Sequence, residues 1–76
     1  MNSTEGKPRP ATARTEIVFA TGEVYRVAGR VKDVERIILD AARGSIMQLA
    51  WLTDADTGNE LAINPEHVVL LRTPAA

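Results

Sequence analysis

At 76 residues, with nine basic and ten acidic side chains, one histidine and no cysteine, the chain has the length of one small domain and excludes disulfides, thiolate metal sites and an imidazole-only zinc site. A body this short buries only about 60% of the surface that its unfolded chain exposes, so its core needs a supplement, and self-association is the one the composition leaves open. The charge is uneven: Lys7, Arg9 and Arg14 against Glu5 give +2 before Thr15, and the rest carries −3, so the body lacks the clustered Lys and Arg that displace counterions from duplex nucleic acid.

Met1 to Arg14 reads as a disordered tail, because after the initiator methionine it holds no aliphatic residue larger than alanine and cannot offset its ordering entropy. Its Lys7-Pro8-Arg9-Pro10 run is a solvated stretch in preference to a docking peptide. The folded domain is expected over 15–73, with 74–76 as a short C-terminal tail. No apolar run approaches the roughly 20 residues of a spanning helix, and the N-terminus has no apolar secretory core. The expectation is a cytoplasmic protein without membrane contact.

Glu16 to Ala20 and Glu23 to Ala28 are rich in β-branched and aromatic residues and flank Thr21-Gly22, which predicts a β-hairpin. A two-residue loop sets Phe19 opposite Val24, Ile17 opposite Arg26 and Val18 opposite Tyr25, with the Ile17–Phe19 face toward the core. A change of one residue in the loop reverses the assignment.

Val31, Val34, Ile38 and Ala41 recur with helical spacing, widened by Ile37 and Ala42, while Lys32, Asp33, Arg36, Asp40 and Arg43 fall on the opposite side. Gly29 is read as the N-cap and Gly44 as the left-handed C′ residue. Leu39 lies off the stripe and is a candidate contact.

After Gly44 the period changes to two. Met47, Leu49 and Trp51 share one face of a strand, and Ile46, Ala50 and Leu52 share the other. The helix stripe is expected to meet Leu49 or Trp51, which leaves Leu39, Ile46, Ala50 and Leu52 as the candidate interface. Asp54 to Asn59 is a turn, Leu61-Ala62-Ile63 a strand, and Pro65 stops it because proline donates no ladder hydrogen bond. Asn64 before Pro65 predicts a capped single turn, and Val68 to Leu71 resumes as a last strand. The order is β-β-α-β-β with a short final strand: an α+β domain with a small antiparallel sheet and one helix packed on one face.

The polar residues form no catalytic set. Asp56-Thr57-Gly58 matches the aspartic-protease triplet but without the apolar strand that precedes it there, and Asp, Thr and Gly favour turns for their own reasons. Asp54 to Glu60 departs from a calcium loop, since Gly58 stands where a side-chain ligand belongs. His67 has no cysteine or marked serine motif to activate. Phe19, Tyr25 and Trp51 sit in apolar runs, where core packing outweighs base stacking. No enzyme activity, metal or cofactor is expected.

Thr21-Gly22-Glu23, Val27-Ala28-Gly29 and the closing Ile63-Asn64-Pro65-Glu66-His67-Val68-Val69-Leu70-Leu71 segment give the body a pattern that resembles small uncharacterised α+β proteins of high-GC bacteria and their phages, which end in a V-N-P-x-x-V type segment. The resemblance implies a fold and carries no activity to transfer; a phage origin would fit a regulatory or inhibitory factor that redirects a host protein. The expected function is a non-enzymatic protein-interaction module, homodimeric or higher, that binds another protein through a sheet face or edge. The alternative is a nucleic-acid-associated regulator in which oligomerisation aligns Arg26, Arg30, Lys32, Arg36 and Arg43, although Asp33, Glu35 and Asp40 are interspersed among them.

Overall fold

Thr15, Ile17 and Phe19 alternate with Glu16 and Val18, and this period of two builds the first strand of a computed structural model that describes residues 13–44 and 48–75. Strand β1 spans Arg14–Phe19, β2 Val24–Ala28, helix α1 Val31–Ala42, β3 Ala50–Thr53, β4 Glu60–Ile63 and β5 Val68–Arg72, with a 3-10 turn at Pro65–His67 between the last two strands. Strand β1 thus begins at Arg14, the last residue of the stretch read as tail. Residues 1–12 of the tail expected over 1–14, and Ile46 and Met47, lie outside the described residues.

The architecture is α+β, as the periodicities predict, but the strands form two antiparallel sheets, β2-β1-β5 and β3-β4. Among the described residues their backbones pair at one point: Val27 bridges Asp54, and the Ala55 N–H donates to the Arg26 carbonyl at 2.9 Å. The join is short because β2 ends at Ala28, where Gly29 turns the chain into the helix with φ +113°, a conformation that side chains disfavour.

The first hairpin corrects the predicted register. Ile17 pairs with Tyr25 and Val18 with Val24, because the loop holds three residues and not two. The Gly22 N–H donates to the Phe19 carbonyl and the Phe19 N–H to the Glu23 carbonyl, while Gly22 takes φ +95°. This is a turn followed by a left-handed residue, the usual three-residue hairpin loop. The Ile17–Phe19 face of β1 does face the core, but on β2 the core residue is Val27, with Tyr25 on the same side and 40% exposed, and not Val24 or Arg26. The ring centroids of Phe19 and Tyr25 stand 5.6 Å apart, edge to face.

Helix α1 is N-capped by Arg30, without a side-chain cap, and not by Gly29. It buries Val34, Ile38 and Ala41, a narrower stripe than predicted, with Ile37 and Ala42 exposed. The helix packs chiefly on β3 and the 3-10 turn, and more lightly on β1 and β5. One core is shared by the two sheets and the helix: Ile17 and Val27 from the first sheet, the helix stripe, and Ala50, Leu52 and Ile63 from the second. Thr15, fully buried, is satisfied by donating its hydroxyl to the Gly29 carbonyl at 2.9 Å.

The phase of β3 is the main correction. Ala50 (1% exposed) and Leu52 (5%) face the core, while Leu49 (44%) and Trp51 (61%) face outward. The pairing with β4 explains this. Ala50 lies opposite Ile63 and Leu52 opposite Leu61, whereas Trp51 meets Ala62 and Thr53 meets Glu60. Only the first set is apolar on both strands. The helix stripe thus meets Ala50, Leu52 and Ile63, and not Leu49 or Trp51.

Candidate interaction surfaces

Two outward sheet faces carry apolar groups. On the first sheet the residues between core positions form cross-strand rows. Val24, Val18 and Leu70 make one row and Arg26, Glu16 and Arg72 the next. Val24 and Leu70 are exposed and Val18 is half-buried. In the ionic row the Arg72 Nε donates to Glu16 Oε1 at 2.7 Å and the Arg26 Nε to Oε2 at 3.4 Å, and the Glu16 side chain is only 14% exposed. The Arg72 hydrogen bond is the main force that lowers the Glu16 pKa; partial desolvation opposes it, and the Arg72 charge and the Arg26 bond and charge add to the lowering. Arg26 also stands 3.7 Å from Asp56. An irregularity in the β1–β5 pairing falls between Val18 and Phe19, so that Val68 meets Phe19 and Val69 stays unpaired and exposed.

The second face belongs to β3-β4. Trp51 is paired with Ala62 and is exposed, as is Leu49 two residues before it, and the next pair on this side is Thr53 with Glu60. Of the candidate interface residues, Leu39 is exposed on the helix, Ile46 lies outside the described residues, and Ala50 and Leu52 are core. The outward residues are Leu49 and Trp51. Their signal was present in the sequence: Thr53 shares their parity, Glu60 stands opposite it across the turn, and polar residues mark a solvent-facing side.

The candidate basic residues do not form one surface. Arg26 is tied to Glu16 and Asp56 on the first sheet. Lys32, Arg36 and Arg43 line a shallow groove on the outer side of α1, together with Glu35, Leu39 and Asp40. Arg30 is exposed at the helix start.

The Asp54 loop is a hairpin connection. Asp54 Oδ1 accepts the N–H groups of Asp56 at 2.7 Å and Thr57 at 3.2 Å, and Gly58 turns with φ +80°. The 3-10 turn forms as predicted: Asn64 Oδ1 accepts the Glu66 N–H at 2.9 Å and Pro65 opens the turn. His67 is exposed, and its carbonyl accepts the Ala20 N–H at 2.8 Å. It lines a cleft of about 330 Å³ between the tip of the first hairpin, at Phe19, Glu23 and Tyr25, and β4 from Leu61 to Asn64. No hydrogen bond joins the His67 ring to another side chain among the described residues, so no nucleophile and base are paired there. Nor, among the described residues, do three or more His, Cys, Asp or Glu side chains gather where they could hold a metal ion. No helix of the described chain is long and apolar enough to cross a membrane.

No family model, curated protein or solved structure matches this chain.

Proposed function

We propose that this protein is a small non-enzymatic interaction module, self-associating, that binds another protein through the outer surface of its sheets. The observation that carries this reading is the outward face of β2-β1-β5, where the row Val24–Val18–Leu70 lies directly beside the row Arg26–Glu16–Arg72. An apolar strip with a fixed charged border is the usual anatomy of a recognition patch: the strip supplies desolvation energy, and guanidinium groups held by a carboxylate supply orientation. Regulation or inhibition of the bound partner, in a bacterium or its phage, is the use that such a small module suits.

Capture from source-cell extract with nuclease present tests this reading. Tagged wild type is expected to retain a protein that a Leu70→Glu variant of unchanged circular dichroism retains at least roughly tenfold less, the loss typical of a central interface residue. Equal retention by both would remove this face from the reading. A nucleic-acid role is the second reading, favoured by Lys32, Arg36 and Arg43 in one groove of the helix. It predicts binding to oligonucleotides that strengthens as salt is lowered; no binding at low salt would end it.

A further inference from the structure

The pairing of β3 with β4 decides which main-chain groups of β4 are already engaged. The Asp54 N–H donates to the Asn59 carbonyl at 2.7 Å, so these two form a hydrogen-bonded pair. Along an antiparallel ladder such pairs alternate with non-bonded ones. Leu52–Leu61 and Ala50–Ile63 are then bonded, and Thr53–Glu60 and Trp51–Ala62 are not. The N–H and C=O groups of Glu60 and Ala62 therefore point away from β3. Among the described residues no strand pairs with that side, and it opens on the cleft bounded by Phe19 and Tyr25. An open edge with room beside it is a template for strand addition.

We propose that the occupant of this edge is β4 of a second copy, paired antiparallel about a twofold axis at Ala62. The proposal rests on the self-association read above and names its surface. A twofold antiparallel pair must have one residue facing its own mate, and Ala62 suits the place. Its outward N–H and C=O would exchange two hydrogen bonds with the partner's Ala62, and Glu60 would meet the partner's Asn64, polar against polar. On the inner face Leu61 would meet the partner's Ile63.

On the outer face the row would read Trp51, Ala62, the partner's Ala62, the partner's Trp51. Two alanines on the axis leave space for both indoles to lean over the seam, which covers the most exposed aromatic ring among the described residues. An axis one residue earlier, at Leu61, would set Glu60 opposite the partner's Ala62 and place a carboxylate in the indole row. The middle of β4 carries no lysine, proline or inward charge of the kind that guards an edge. A closed isologous contact of this kind also supplies the supplement that so small a core needs.

Ala62→Pro tests the proposal, because proline removes an N–H that the β3 ladder does not use. Light scattering over a wide concentration range should give the wild type twice its 8.2 kDa mass and the variant the monomer mass, with the helical circular dichroism of both alike. Should the variant not fold, amide exchange on the wild type reads the same edge: protection at Glu60 and Ala62 should rise with protein concentration, while Leu61 and Ile63 stay protected throughout. A dimer that survives Ala62→Pro, or whose Ala62 amide exchanges at a rate independent of concentration, would overturn the edge and leave self-association standing. Protection of Ala62 at every concentration that vanishes on deletion of residues 1–12 would overturn it in favour of the chain's own N-terminal segment. A monomer at all concentrations would overturn both.

Discussion

Glu16 carries more consequence than its place on a sheet surface suggests. It accepts hydrogen bonds from two arginines that β1 alone could not bring together, Arg26 across one neighbour strand and Arg72 across the other. The carboxylate thus fastens β2 and β5 to the strand between them. Because its pKa is lowered in the folded state, the unfolded chain takes up the proton first on acidification. The stability it contributes is present above the ordinary carboxylate value and is lost as pH falls through the lower folded value. Glu16→Gln is therefore expected to melt below wild type at neutral pH and to lose less than wild type between neutrality and pH 3. Thermal melts in a pH series measure this. Parallel pH profiles for the two proteins would show that the carboxylate charge is not used.

At the scale of elements, the helix offers a sharp contrast within two adjacent residues. Ile38 is buried in the shared core, whereas Ile37 beside it is 40% exposed. Ile38→Ala should cost about 2–4 kcal/mol, from lost transfer energy and the cavity left behind, and Ile37→Ala at most about 0.5 kcal/mol. Urea unfolding of both variants would decide it, and equal losses would mean that the buried stripe is misplaced.

The helix, the hairpins and the Asn64-Pro65 turn were legible because each has a local cause: a 3.6-residue period, a glycine between β-rich runs, a cap followed by a proline. The phases of β2 and β3 were not, because a strand's inward face depends on what it pairs with. An Ile17–Arg26 pairing would have put a guanidinium on the core side, whereas one more loop residue brings Arg26 to Glu16. Likewise Trp51 outranks Ala50 in bulk, yet Ala50 is the one paired with Ile63. Charge and polarity across the loop, rather than hydrophobicity along the strand, held that information. Ala50 and Leu52 are therefore core, and the exposed apolar residues of this hairpin are Leu49 and Trp51.

For the molecule as a whole, the question is whether two sheets joined at one bridge behave as one body. Apart from the Pro65–His67 turn that runs from β4 into β5, the backbone links between the sheets among the described residues are the Val27–Asp54 bridge and the Ala55–Arg26 hydrogen bond, with the Arg26–Asp56 ion pair alongside. By that measure β3-β4 resembles a separate hairpin, and a lone hairpin is marginal in water at best. The side chains argue otherwise. The same cluster holds Ile17 and Val27 from one sheet, Ala50, Leu52 and Ile63 from the other, and the helix stripe, so the second hairpin cannot leave without exposing apolar residues of the first sheet and the helix. Trp51, the chain's one tryptophan, reports on β3, and far-UV circular dichroism reports chiefly on the helix. At a fixed protein concentration the two signals should trace one coincident urea transition. Asp54→Ala removes the carboxylate that caps the loop at the junction, and it should shift both signals together by about 1 kcal/mol. A fluorescence transition that runs ahead of the helix signal, in wild type or in this variant, would show that the bridge and not the shared core holds the sheets together.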